Sequence, residues 1–140
     1  MRISSRNVLA GKVQSVTKGA VSAEVTIALE GGETVVAVIT NSSADSLGLQ
    51  QGKSAYAIIK ASEVMIGIGM DAARISARNV LLGEIANVQE GAVNSEIEVH
   101  LAGGSSVVAA ITKQSAKLLG FSPGVKVSAI IKASNVMVGV

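Results

Sequence analysis

The stretch VSAEVTIALEGGETVVAVI, from Val21 to Ile39, decides the fold class of this 140-residue chain. Apolar and polar residues alternate from Val21 to Leu29, which is the period-two pattern of a half-buried β-strand. The Gly31-Gly32 pair supplies the positive φ that a tight hairpin needs, and Val35 to Ile39 is then the returning strand. The stretch therefore predicts an antiparallel β-hairpin.

The same pattern returns as VNSEIEVHLAGGSSVVAAI, from Val93 to Ile111, 72 positions further along the chain. With this offset, Arg2 to Ile68 aligns without a gap with Arg74 to Val140, and about half of the positions are identical. We therefore predict two tandem domains, 1–68 and 74–140, joined by a linker at 69–73. Because this tether is short, we expect the two domains to contact each other.

Each half also carries signals for further short strands and one small helix. In the first half the additional strands are predicted at Val8 to Val16, Ser54 to Lys60 and Val64 to Ile68. A bulge or bend is expected at Gly11, and the helix should be capped by Ser42 or Ser43 and end at Gly48. Such units are typical of small Greek-key barrels. The predicted fold is all-β, with two tandem OB-like barrels that each contain one short helix.

Composition argues against several classes of protein. The net charge of +2 is too small to indicate a nucleic-acid-binding surface, and Tyr56 and Phe121 do not recur at matching positions as stacking aromatics would. The absence of cysteine excludes disulfides and thiolate metal sites. The most apolar window, Ala57 to Met70, is interrupted by polar residues, whereas a membrane-spanning helix needs about 20 apolar residues. With no secretion signal recognised, we expect a cytoplasmic protein without a nucleic-acid or membrane partner.

Comparison of the two halves separates polar positions that changed from polar positions that did not. Lys12, Lys18 and Thr26 each correspond to a glutamate in the second half, so these positions are expected to face solvent. Eight polar pairs are retained: Ser4/Ser76, Arg6/Arg78, Asn7/Asn79, Glu24/Glu96, Thr40/Thr112, Ser43/Ser115, Lys60/Lys132 and Ser62/Ser134. Charge reversal elsewhere indicates that the retained pairs have a shared role.

Hydrogen-bond donors dominate the retained set. Arginine presents a rigid fork of N–H groups, lysine a compact cation, and serine and threonine short hydroxyl groups. The small side chains in Lys60 to Ser62 also allow backbone N–H groups to approach a ligand closely. Together these residues predict a site for a small anion.

Two other interpretations remain open at this point. In a structural interpretation, Lys60 and Lys132 form interface salt bridges with Glu24 and Glu96, and the retained hydroxyls only cap helices. An enzymatic interpretation would need a Ser–Lys dyad. Because the halves share no histidine and contain no cysteine, we expect no catalytic activity. The single histidine, His100, is expected on the surface.

Four segments of the second half, SARNVLLG, EGAVNSEI, TKQSAKLLG and IIKASNVMVG, resemble the Mop domain, also called molbindin. The first half carries SSRNVLAG, KGAVSAEV, TNSSADSLG and IIKASEVMIG at the matching positions. The resemblance covers essentially all of both halves. It implies OB-like barrels that bind molybdate or tungstate without catalysis or an organic cofactor, and a homo-oligomer, expected to be a trimer.

The resemblance also implies which residues bind the oxyanion. They belong to the Ser-x-Arg-Asn, Thr-x-x-Ser and Lys-Ala-Ser elements: Ser4, Arg6, Thr40, Ser43, Lys60, Ala61, Ser62, Ser76, Arg78, Thr112, Ser115, Lys132, Ala133 and Ser134. A second site is expected at the turns that contain Val21, Ser22, Val93 and Asn94. No residue is expected to ligate a metal cation directly. We expect Arg6 and Arg78 to be buried beside a dianion between subunits.

The implied function is intracellular molybdenum storage and homeostasis. One alternative is a small-anion sensor or a carrier that delivers molybdate to cofactor synthesis. Another is a purely structural oligomeric module.

Overall fold

The computed structural model describes residues 1–70 and 74–140. The first half contains β1 (Asn7–Lys18), β2 (Ser22–Leu29), β3 (Thr34–Thr40), α1 (Asn41–Ser46), β4 (Ser54–Ile59), a 3-10 turn (Ala61–Glu63) and β5 (Met65–Gly67). The second half contains β6 (Asn79–Glu90), β7 (Asn94–Leu101), β8 (Ser106–Thr112), α2 (Lys113–Leu118), β9 (Lys126–Ile131), a 3-10 turn (Ala133–Asn135) and β10 (Met137–Gly139). Of the predicted linker, residues 71–73 lie outside the described residues.

The strands form two antiparallel five-stranded sheets, in the orders β10-β4-β1-β2-β3 and β5-β9-β6-β7-β8. The predicted all-β fold, with two small OB-like units and one short helix in each, is confirmed. Each sheet nevertheless takes its outermost short strand from the other half. Met137 of β10 pairs with Ile58 of β4, and Met65 of β5 pairs with Ile130 of β9. Neither half completes its sheet with its own residues.

The alternating pattern of β2 fills the core as predicted, with one exception. Ala23, Val25, Ile27 and Leu29 are buried, but Val21 is 73% exposed because the strand begins only at Ser22. Buried side chains of both halves belong to a single hydrophobic cluster. Folding of one half is therefore coupled to folding of the other through shared strands and a shared core.

The predicted bulge at Gly11 is wrong in position. The register of the β1–β2 pair shifts between Val13, which pairs with Ile27, and Ser15, which pairs with Thr26. Gly11 is needed for a different reason, because a Cβ at this position would lie 2.4 Å from the carbonyl oxygen of Ala28. The glycine permits close approach of two strands, and the bulge follows it in β1.

The predicted N-cap of the first helix is also corrected. The cap is Thr40, whose Oγ1 accepts a hydrogen bond from the Ser43 N–H at 3.0 Å. Thr112 caps the second helix in the same way, with 3.1 Å to the Ser115 nitrogen. Gly48 follows the helix with a φ of +60°, as expected for a residue that terminates a helix.

Candidate anion-binding site

A cavity of about 350 Å³ brings together two of the three predicted binding elements of the first half. Its lining is formed by Ile3, Ser4, Ser5, Arg6, Lys60, Ala61, Ser62 and Met137. Strand pairing brings these two elements together, because Asn7 at the start of β1 lies opposite Ile59 at the end of β4. The segments that precede β1 and follow β4 therefore leave the sheet side by side. In the second half Asn79 lies opposite Ile131, which places Ser76 and Arg78 near Lys132 to Ser134.

The Lys-Ala-Ser element forms the start of a 3-10 turn with nearly the same backbone in both halves. Lys60 has φ −68° and ψ 137°, and Lys132 has φ −69° and ψ 137°. In the first turn, the Glu63 amide donates to the Lys60 carbonyl at 2.9 Å. The amides of Ala61 and Ser62 precede this bond, and a turn of this kind leaves such amides without an internal acceptor. Because Ala61 and Ser62 line the cavity, these amides are candidate backbone donors beside its hydroxyl and cationic groups.

The side chains that line this cavity suit an anion rather than a cation. Arg6 and Lys60 contribute two positive charges, and Ser4 and Ser62 contribute hydroxyl groups, whereas the Ser5 hydroxyl already donates to the Ile59 carbonyl at 2.8 Å. Among the described residues of the lining there is no carboxylate. Charge-assisted hydrogen bonds from arginine and lysine are about twice as strong as neutral ones. The cavity, which we call the donor cavity, can therefore hold a small oxyanion through several donors at once.

Each arginine of the Ser-x-Arg-Asn element contacts a glutamate of the opposite half. Arg6 Nη1 lies 2.7 Å from Glu96 Oε1, and Arg78 pairs with Glu24 in the same way. The structural interpretation paired Lys60 and Lys132 with these glutamates across an interface; within this chain the arginines contact them instead. In the single chain the side chains of Arg6 and Arg78 are 53% and 55% exposed, so their burial between subunits stays a prediction. Burial of these side chains would require a neighbouring subunit.

The Thr-x-x-Ser element lies apart from the donor cavity. Thr40 lies opposite Ser22 in the β2–β3 pair, and the Asn41 amide donates to the Val21 carbonyl at 2.9 Å. Ser22 and Thr40 lie at the end of the β2–β3 pair that adjoins Lys18. Lys18 is the last residue of β1, and Arg6 precedes the first, so this region is at the opposite end of β1 from Arg6. One chain therefore brings Thr40 and Ser43 together with the predicted second site, rather than with the donor cavity.

The second half repeats this arrangement. Thr112 lies opposite Asn94 in the β7–β8 pair, and the Lys113 amide donates to the Val93 carbonyl at 2.8 Å. Thr112 and Ser115 therefore also adjoin the second-site candidates of their own half.

Asn7 and Asn79 hold the two sheets together, a role that the sequence pattern did not assign. Asn7 is 1% exposed; its Nδ2 donates to the Val108 carbonyl at 2.8 Å, and its Oδ1 accepts from the Val108 amide at 2.7 Å. Asn79 forms the same pair of bonds with Val36, both at 2.8 Å. Val36 and Val108 lie in the edge strands β3 and β8, so each asparagine satisfies an edge of the opposite sheet. Retention in both halves was the signal that pointed to these residues.

Three further features bear on other kinds of site: the single histidine, possible metal ligands and the length of the helices. The His100 side chain is 59% exposed, which confirms its predicted surface position. Its Nε2 lies 3.3 Å from Glu98 Oε1. Within residues 1–70 and 74–140, no group of three or more His, Cys, Asp or Glu side chains is arranged to hold a metal ion. No helix in the same part of the chain is long and apolar enough to cross a membrane.

Curated relatives match the whole chain. It is 48% identical over 137 residues to the molybdenum-pterin-binding protein MopA of Rhodobacter capsulatus, an alignment that covers 98% of this chain and 52% of MopA. It is 40% identical over 140 residues to the molybdenum transport protein ModE of Azotobacter vinelandii, covering 100% of this chain and 52% of ModE. The chain thus spans about half the length of these curated relatives.

A solved structure and a family model agree with this similarity. The structure is that of the cytoplasmic molybdate-binding protein ModG with molybdate bound; it is 45% identical, covers 100% of this chain and 99% of its own, and gives a TM-score of 0.96. The family model of the TOBE domain matches residues 3–66 and 75–138. These matches confirm the resemblance to tandem Mop domains. The chain belongs to the TOBE-domain family and carries two TOBE domains in tandem.

Proposed function

We propose that this chain binds molybdate and tungstate and serves intracellular molybdenum storage and homeostasis in the cytoplasm. The donor cavity carries the proposal, because it joins Ser4, Arg6 and Lys60 with the turn amides of Ala61 and Ser62. The similarity to ModG, whose structure holds molybdate, supports the choice of ligand. The relatives reported above are named for binding and transport, which supports a binding role rather than catalysis.

The chemistry of the donor cavity favours a fully deprotonated oxyanion. Molybdate and tungstate present four oxygens that accept hydrogen bonds, and the cavity offers cationic, hydroxyl and amide donors. Phosphate is partly protonated near neutral pH, and its O–H group needs an acceptor. Among the described lining residues no carboxylate supplies one, and the only side-chain acceptors are serine hydroxyls. Sulfate has the correct charge but is smaller, so it spans the same donors less well.

Isothermal titration calorimetry should therefore show a clear order of affinity. We expect molybdate and tungstate to bind tightly, sulfate to bind more weakly, and phosphate to bind least. The titrations are run at one ionic strength, because charge-dominated binding weakens as salt screens the site. Equal affinity for phosphate and molybdate would contradict the assignment of a site dominated by hydrogen-bond donors.

We further propose that the chain assembles as a homotrimer whose subunits complete one another's sites. Large apolar side chains are exposed on the single chain, including Val21 at 73%, Val93 at 74% and Leu118 at 79%. The donor cavity is open, and the Thr-x-x-Ser element lies at the other end of β1 in the same chain. A neighbouring subunit that covers the apolar surface can place its Thr-x-x-Ser element against the donor cavity.

Sedimentation equilibrium tests this assembly directly. We expect one species with three times the 14.1 kDa mass of a single chain. Molybdate should raise the melting temperature of this species, because a ligand that binds only the folded assembly stabilises it by about 2.7 kcal/mol per site at 100-fold excess over Kd. A stable monomer at micromolar concentration would overturn the proposed assembly while leaving oxyanion binding to be measured separately.

A further inference from the structure

Arg6 lies between two cavities of opposite chemical character. It is the residue shared by the donor cavity and a second cavity of about 130 Å³, which is lined by Arg6, Asn87, Gln89, Glu96, Glu98 and Val108. Its Nη1 contacts Glu96 Oε1 at 2.7 Å on the side of the second cavity. Glu96 does not line the donor cavity. The carboxylate therefore contacts the guanidinium from outside the lining of the donor cavity.

This contact joins the two halves of the chain and occurs twice. Arg6 precedes β1, and Glu96 lies in β7 of the other half; Arg78 precedes β6, and Glu24 lies in β2. The two pairs are thus related by the internal repeat. Each donor-lined end of one half has its arginine held by an acid of the opposite half.

Stability does not explain why both pairs are retained. The side chains of Arg6 and Glu96 are 53% and 43% exposed, and ion pairs at such positions contribute at most about 1 kcal/mol. Charges at other exposed positions reverse between the halves, as Lys12/Glu84 and Lys18/Glu90 show. A role at the site explains retention better than a role in folding.

We propose that Glu96 and Glu24 are positioning residues that hold Arg6 and Arg78 ready for the oxyanion, an inference that rests on the proposed function. Arginine has five N–H donors in a planar fork, so a carboxylate on Nη1 leaves other donors of the same fork for a ligand. A held arginine also loses less side-chain freedom when the ligand binds, and this loss otherwise weakens affinity. Each half therefore supplies the positioning residue for the site of the other half.

The test uses the full chain with Arg78→Ala, so that only sites lined by Arg6 retain their arginine. In this background, Glu96→Ala should raise the Kd for molybdate about 3- to 10-fold, the range expected for losing the order of one long side chain. Glu96→Gln keeps an oxygen that accepts a hydrogen bond from Nη1. The Kd of this variant should therefore stay closer to that of the parent, the chain with Arg78→Ala alone. Titration calorimetry measures each Kd, and thermal melting verifies that each variant is folded.

Glu98→Ala is the matched control, because Glu98 lines the same second cavity but its side chain contacts His100 instead of Arg6. We expect its Kd to remain close to that of the parent. Loss of a negative charge cannot by itself weaken binding of a dianion, so weaker binding in Glu96→Ala would report positioning. Unchanged or tighter binding in Glu96→Ala would overturn the inference, as would equal weakening by Glu98→Ala. Failure of the parent and the unmodified chain to bind molybdate would instead refute the proposed function.

Discussion

Replacing both Arg6 and Arg78 by alanine should remove molybdate binding at the sites that these arginines line. Loss of a charge-assisted contact to a desolvated anion costs roughly 2–5 kcal/mol, which raises Kd by a factor of about 30 to 4,000. Each single variant should empty the sites of its own arginine and largely preserve the others. Stoichiometry should therefore fall more than the affinity of the remaining sites. Native mass spectrometry with molybdate counts the bound oxyanions in the two single variants and the double variant.

Lys12→Ala provides the control for this experiment. It also removes one cation, but Lys12 lies within β1, outside the lining of the donor cavity, and corresponds to Glu84 in the second half. The number of molybdate ions bound by the Lys12→Ala variant should equal the number bound by the unmodified chain. Full occupancy at unchanged affinity in the Arg6→Ala/Arg78→Ala variant would show that both arginines have only a structural role.

Asn79→Ala should cause the largest loss of stability among single changes near the site. The substitution leaves the amide and the carbonyl of Val36 without their partner, and each unsatisfied group that stays away from water costs about 1–3 kcal/mol. We expect the free energy of unfolding to fall by roughly 2–5 kcal/mol and the melting temperature to fall by about 5–15 °C. Asn7→Ala should have a similar effect through Val108. Urea unfolding and differential scanning calorimetry measure both quantities.

Gln14→Ala is the control for Asn79→Ala. It also removes a side-chain amide, but from an exposed position in β1, the strand that corresponds to β6 in the first half. Gln14 is exposed in β1 at the register shift, so its removal should change the free energy of unfolding by about 0.5 kcal/mol or less. If Asn79→Ala melts at the temperature of the Gln14→Ala variant, the asparagine does not connect the sheets in the way its hydrogen bonds indicate.

Local pattern was sufficient to predict the fold class, because strand periodicity and hairpin glycines are encoded within a few adjacent residues. The β2–β3 hairpin shows this: Val25, Ile27 and Val35 are buried, and Gly32 has a φ of +99°. The bulge and the helix cap were misplaced by a few residues. A strand tolerates its bulge at several positions, and several neighbouring hydroxyls can cap a helix, so pairing with β2 and the bond from Ser43 to Thr40 decided these details.

The internal repeat was equally informative about the residues of the donor cavity, but less informative about their surroundings. Retention of Ser4, Arg6 and Lys60 in both halves indicated a common role, and the pairing of β1 with β4 places them around one cavity. Retention in both halves also singled out Glu96, but the sequence offered a lysine as the possible partner of this carboxylate. The structure pairs it with Arg6, because only the packing of the two sheets determines which cation reaches the carboxylate. The complete set of oxyanion ligands stays a prediction.

The sequence by itself determined that the chain has two copies of one all-β unit and that donors are repeated in both. Only the tertiary structure decided how the copies depend on each other. A three-residue strand such as Met137–Gly139 is too short to specify its partner by its own pattern, so sheet packing directs it to β4 of the other half. For the same reason Asn7 and Arg6 find Val108 and Glu96 across the repeat boundary. Local periodicity sets which residues face the core, whereas partner choice between distant segments depends on burying the edges and apolar faces of both halves at once.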